Sequence, residues 1–282
     1  MHDHQESRPK SSSTTLVAVV IALIVIGAIY FFISDSKDPV TQPVTTSPVT
    51  PTPQAPVEQP AVTPQPEVVY EAPQPIEEVE PLPLLNESDT PVLDALRGLR
   101  GDSLLALIVP QEVIRKFVLA VNGVAEGKVV NEYRPLVSPP PPFIPETFTV
   151  TVEGSAVEQQ RIALANYARY ETYVNNLALL DMDTVAAIYR RFYPLLEEAF
   201  KELGLKKSNF HSVLIAAIDN VLAAPDVQGE VLLIQPKVFY QYADPVLEKM
   251  PQTHKLMVRM GPENARSVKA SLRQLRARLL SQ

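Results

Sequence analysis

Asp183–Gly204 reads DTVAAIYRRFYPLLEEAFKELG, and its apolar residues decide the fold class. Val185, Ile188, Tyr189, Phe192, Leu196, Ala199, Phe200 and Leu203 recur at intervals of three and four. On a helix of 3.6 residues per turn they fall on one stripe, the face that a buried helix turns to its neighbours. Pro194 lies inside this run. It has no backbone donor and its ring crowds the preceding turn, so a kink or break is predicted there. Gly204 suits a left-handed cap, with Leu205 folding back onto Phe200. The adjacent Glu197 and Glu198 read as a solvated helix face.

The same spacing continues outward. Tyr167, Tyr170, Val174, Leu177 and Ala178 predict a helix upstream; Phe210, Val213, Leu214, Ala217, Ile218, Val221 and Leu222 predict one downstream. Nearer the start, Ser88 or Asp89 can cap a helix carrying Val92, Leu93, Leu96 and Leu99 on one face, and Ile114, Phe117, Val118 and Val121 form another. Gly127 to Pro145 reads as an irregular crossing that contains the run Pro139 to Pro142. Phe148, Val150 and Val152 alternate with polar residues, predicting a short strand that ends at Glu153, Gly154 and Ser155. Val231 to Ile234 and Val238 to Tyr242 are rich in β-formers and can join it in a small sheet. Two final helices part at Gly261 and Pro262, the second with Ala265, Val268, Leu272, Leu275 and Leu279 on one seam. The expected fold class over residues 84–282 is mainly α: a multi-helix globular domain with a small β element.

The remainder of the chain has a different composition. Leu16 to Ile33, LVAVVIALIVIGAIYFFI, is 18 residues without a charge, extended to 20 by Thr14 and Thr15. At about 1.5 Å per residue, 20 residues reach about 30 Å, the hydrocarbon thickness of a bilayer. The run is longer than a signal-peptide core and lacks a small-x-small exit, so a retained transmembrane helix over 16–33 is expected. Arg8 and Lys10 precede it and only Lys37 closely follows, a bias that places the tail 1–15 in the cytoplasm and the body outside. Residues 34–83 hold 13 of the 28 Pro, mixed with Thr, Gln, Val and Glu. A segment of that kind is expected to be a disordered linker, extended and solvated. A Pro-rich ligand for a partner's aromatic groove is the alternative reading.

Charge and cysteine content remove several function classes. The linker carries eight acids against Lys37, whereas residues 84–282 carry 22 charges of each sign. No basic field is available to grip a phosphate backbone, so a nucleic-acid partner is not expected. The chain has no Cys, which rules out disulfides and thiolate-held metals and fits an oxidising compartment.

A set of motifs resembles a known family. LPLLNESD at Leu82–Asp89, RKFVLAVNGVAEG at Arg115–Gly127, YRPL at Tyr133–Leu136 and YARY at Tyr167–Tyr170 come in order. YRRFYPLLEEAFKELG at Tyr189–Gly204, YADPVLE at Tyr242–Glu248 and RMGPENAR at Arg259–Arg266 follow. The pattern resembles the bacterial family known as domain of unknown function 3014. That resemblance implies a Gram-negative inner-membrane setting with a membrane helix and a Pro-rich spacer; it implies no activity, ligand or catalytic residue.

The body's only histidines, His211 and His254, lack the two-His helical spacing of a zinc site, and no G-x-S-x-G, Walker or G-x-G-x-x-G pattern occurs. No catalytic residue, cofactor or metal is predicted. Two clusters suit an interaction surface. Arg169, Tyr173, Arg190 and Arg191 lie among tyrosines that otherwise read as core, and Arg266, Lys269, Arg273 and Arg276 form a basic stripe beside the last apolar seam. A solvated outer face is the plain reading of that stripe. RMGPENAR reads as a helix end and a helix start, with Pro262 at the first position and Glu263 near the positive end.

These features predict a single-pass inner-membrane protein of the cell envelope, whose periplasmic helical module binds a protein or another envelope component. The competing expectation is a carboxylate-dependent envelope enzyme acting on cell-wall glycan or peptide. An assembly role through the last helix is a third.

Overall fold

The computed structural model describes residues 68–73, 81–129, 133–140, 142–207 and 209–281. The predicted tail 1–15, the membrane segment 16–33 and linker residues 34–67 and 74–80 lie outside the described residues. Among the described residues no helix is long and apolar enough to cross a membrane.

Nine α-helices and four strands follow in order among those residues. After a 3₁₀ turn at Leu85–Glu87 come α1 (Asp89–Arg100), α2 (Asp102–Leu105) and α3 (Val113–Ala125). The strands β1 (Pro145–Val152) and β2 (Ser155–Ile162) lead to α4 (Ala165–Ala178), α5 (Met182–Glu202) and α6 (Phe210–Leu222). Then come β3 (Leu232–Ile234), β4 (Gln241–Tyr242), α7 (Pro245–Glu248), α8 (Gln252–Arg259) and α9 (Pro262–Leu280). The architecture is mainly helical with one small antiparallel sheet, as the sequence predicts.

α5 is the central helix, and its apolar stripe is buried from Val185 through Phe200. Asp181 starts it by accepting a hydrogen bond from Thr184 N at 3.0 Å, which satisfies one of the free amides of the first turn. Of the kink or break predicted at Pro194, the break does not occur; α5 is continuous across it. Phe192 and Tyr193 before the proline and Leu195 and Leu196 after it are all buried, so packing on both sides holds the turn despite the missing hydrogen bond. Gly204 adopts the expected left-handed φ of 64°, while Leu205 remains exposed.

α3 and α6 pack together beside α5, and α9 lies across α4, α5 and α6. Phe210, at the start of α6, is the aromatic hub. Its ring meets Phe117 edge-on at 5.7 Å and Phe200 at 5.9 Å, separations at which offset aromatic pairs attract beyond the area they bury.

The sheet runs β1-β2-β3-β4, each pair antiparallel. Glu153 and Gly154, read from sequence as the end of a strand, are the two-residue turn of a hairpin, with φ of 50° and 80°. Positive φ at both central positions is what a tight hairpin with native twist requires. β2 answers β1 residue for residue, from Val152↔Ser155 to Pro145↔Ile162. The predicted strand at Val238–Tyr242 shrinks to Gln241–Tyr242, with Val238 and Phe239 exposed. A second, smaller core of Ile162, Val231, Leu233, Tyr242 and Val258 binds the sheet to α8.

Asn166 fixes the approach to β1. Its side chain accepts from Ile144 N at 3.0 Å and donates to Ile144 O at 2.6 Å and to Ala163 O at 3.0 Å, and it is buried. Asn166→Ala would strand the donor and the acceptor of Ile144, while Ala163 O keeps its bond from the residue 166 backbone N at 2.9 Å, an expected loss of about 2 kcal/mol. Urea titration of the variant against the parent measures it; an unchanged midpoint would show that water replaces both bonds to Ile144.

Candidate functional site

The eight residues of the two predicted clusters differ in exposure. Arg169 is only 6 % exposed and donates to Pro139 O at 3.3 Å, and the buried Tyr173 donates its hydroxyl to Val137 O at 2.8 Å. Both are internal struts beneath the proline-rich crossing, whose backbone needs donors from α4 because its prolines supply none. Burial raises the Tyr173 phenol above its ordinary pKa. Arg190 and Arg191 are half-buried, and the Arg191 guanidinium lies 5.6 Å from the centre of the Phe192 ring.

The stripe on α9 is divided in the same way. Lys269 is 4 % exposed and donates to Ala224 O at 2.6 Å and Asp226 Oδ1 at 2.5 Å. The ammonium holds the Asp226 carboxyl below its ordinary range. Arg276 reaches Asp219 through Nε at 2.6 Å and through its second terminal nitrogen at 3.1 Å. Arg266 pairs with Glu263 at 2.6 Å on the exposed side, where Arg273 also lies. Of the five basic side chains on this helix, Lys269 and Arg276 tie it to α6 and the segment beyond, and Arg278 pairs with Asp183 of α5 at 2.6 Å, so the four residues of the predicted stripe do not form one continuous solvated face.

Glu197, read as solvated, is half-buried and structural. Its Oε2 accepts from Tyr193 OH at 3.1 Å and from Phe210 N at 2.9 Å, so a carboxylate from α5 caps the start of α6. Deeper in, the Tyr189 hydroxyl is hydrogen-bonded to Nδ1 of His211 at 2.9 Å. The rings of Tyr189, Tyr193 and His211 stack within 5.7 to 6.5 Å of one another. Burial pushes Tyr189 and Tyr193 well up and pushes His211 down to about 4. At neutral pH the three side chains are uncharged. His211 is 1 % exposed, so the cluster joins two helices and has no open approach for a substrate. Among the described residues no three His, Asp or Glu side chains gather as a metal site would need.

The arrangement with a visible occupant lies one residue further along α6. Val68–Pro73, within the span read as free linker, lies against the helical body. Tyr70 N donates to Ser212 Oγ at 2.8 Å. Tyr70 O accepts from Asn209 Nδ2 at 3.0 Å and from Ser212 Oγ at 3.4 Å. Asn209 is simultaneously the N-cap of α6, accepting from Ser212 N at 2.8 Å. Two polar side chains at a helix start thus satisfy both backbone groups of Tyr70. Tyr70 and Ala72 pack on the main core and Pro73 is buried. The Asp219 carboxylate raises the Arg276 guanidinium above its ordinary pKa, and the Tyr70 hydroxyl adds to the effect.

Sequence reasoning missed this seat because prolines and acids dominate residues 34–83. One signal was present: Tyr70 is the only aromatic residue in that span.

Comparison with known proteins bears on the body alone. The family described as Protein of unknown function (DUF3014) matches residues 113–276. No curated protein and no solved structure matches the chain. The matched span opens at the first residue of α3 and closes at Arg276, so it contains Asn209, Ser212, Asp219 and Arg276 but not the docked segment. Covering more than half of the chain, it establishes that the protein belongs to the DUF3014 family.

Proposed function

We propose that this protein is a single-pass inner-membrane protein of the bacterial envelope that holds a helical binding module on the periplasmic side. The observation that carries the binding role is the seat on α6, where Val68–Pro73 is held through the main chain of Tyr70 and one aromatic side chain. The tethering role is supported by the 18-residue apolar run at Leu16–Ile33 and the Pro-rich span after it. Anchor, spacer and seat together describe a module whose task is to meet another component at a distance from the bilayer.

A carboxy-terminal alkaline phosphatase fusion to the full chain tests the placement, because that reporter is active only after export. Active phosphatase, with the fusion retained in the membrane fraction, is the expected result. An inactive phosphatase with an active cytosolic reporter at the same position would overturn the proposal, as would mature protein lacking the apolar run.

A further inference from the structure

We infer that the seat on α6 and α9 is a receptor for an extended, Tyr-centred and Pro-ended peptide of an envelope partner, and that Val68–Pro73 is its built-in competitor. The inference rests on the binding role proposed above and names the ligand chemistry.

Three features carry it. The hydrogen bonds from Ser212 and Asn209 go to the main chain of Tyr70, so they accept any extended backbone; they supply affinity without demanding this sequence. Selection comes from the side chains that are covered. Tyr70 is half-buried beside Arg276, a guanidinium already oriented by Asp219, and Pro73 is buried three residues on. The Tyr hydroxyl, a small residue and a proline therefore form the recognisable pattern.

The docking is also shallow. Val68 and Val69 are 64 % and 61 % exposed, and the sequence-independent bonds converge on one residue. A contact of that size is weak for a free peptide, but Val68–Pro73 is covalently joined to the body, and tethering raises the effective concentration of a weak ligand well above what a free peptide reaches. An internal occupant of this kind blocks weak ligands and yields to a partner that binds better or arrives in high local concentration. The seat's polar side chains lie within the family match and the occupant outside it, so the receptor is a property of the body and the competitor a property of the tether.

The test uses the full chain in detergent micelles and a fluorescein-labelled peptide of residues 67–74, EVVYEAPQ. Binding is read by anisotropy to the parent, to a variant with residues 68–73 replaced by Gly and Ser, and to the milder Tyr70→Ala. Both variants are expected to bind the probe at least about tenfold tighter than the parent, because the tethered competitor is gone or weakened. Ser212→Ala in the replaced background, or Phe for Tyr in the probe, should weaken binding again. Absence of binding to either variant, with a parent-like thermal melt, would overturn the inference. Equal binding to parent and variants would do so too, by placing the contact elsewhere. A parent that sediments as a dimer and becomes a monomer on replacement would show the segment exchanged between copies, which also overturns it. The phosphatase fusion reads location alone, so failure of the peptide experiment and failure of the proposed placement are separable.

Discussion

Gly261→Ala is expected to lower the stability of the fold by about 4 kcal/mol, from two effects of similar size. Gly261 has φ 85° and ψ 158°, a combination that residues with a Cβ scarcely populate and that costs about 1–3 kcal/mol when forced. A Cβ built there would also lie 2.6 Å from Tyr167 Cγ and 2.8 Å from both Cδ atoms. Tyr167 has little room to retreat, because its carbonyl accepts from Asn264 Nδ2 at 2.8 Å while the same amide donates to Met260 O at 2.8 Å. Denaturant titration provides the number. Adding Tyr167→Ala separates the parts: it should relieve the ring clash and leave the backbone cost. A loss below about 1 kcal/mol in the single variant would show that α4 and α9 are less firmly joined than these distances imply. The stretch RMGPENAR thus has a structural account. It ends α8, seats a glycine against an aromatic ring, and starts α9 with Pro262 at its first position.

Acidification supplies the second large effect. His211 takes up a proton near pH 6.5 in the unfolded chain and near 4 in the folded one, because burial disfavours the imidazolium. Between those values the unfolded state binds more protons, so stability is fully present above about pH 6.5 and declines as pH falls toward 4. The integrated loss is about 3 kcal/mol. The groups facing the ring from α5 are Tyr189 and Tyr193, both uncharged in this range, with Glu197 beyond Tyr193. Glu126, Glu202 and Asp226, whose carboxyls are held low by basic partners, lose their contribution only as pH falls through the carboxylate range. The upper part of the acid limb therefore belongs to His211. Urea midpoints should drop steadily from pH 7 to pH 5 in the parent and stay nearly level in His211→Gln. A parent with no slope there would mean that the imidazolium finds a partner in the fold.

The helices were legible because their burial is written at one period. The stripes through α5, α6 and α9 appear in the sequence at the spacing the structure buries. β2 was illegible for the opposite reason. SAVEQQRI has few apolar residues and its first half is solvent-exposed, so it is defined by its register with β1 and by the turn at Glu153 and Gly154. Arg169 and Lys269 mark a further limit. Each sits at the edge of an apolar stripe, where the helix alone does not decide between solvent and interior. The carbonyls of Pro139 and Ala224 decide it, and those come from distant segments. The seat for Tyr70 is non-local in the same sense, since Ser212 and Asn209 look like ordinary cap residues until the docked segment is placed on them.

The sheet also bears on the order in which the chain assembles. β1 and β2 are joined by two residues and can zip within microseconds. β2 meets β3 at Gln160↔Leu233 and Arg161↔Leu232, continued by one bond from Ile162 N to Val231 O at 3.0 Å, with all of α4, α5 and α6 between them in the chain. Closing so long a loop for so short a seam is rewarded only once the intervening helices have condensed. That seam is accordingly expected to close late in folding, after the three helices it spans.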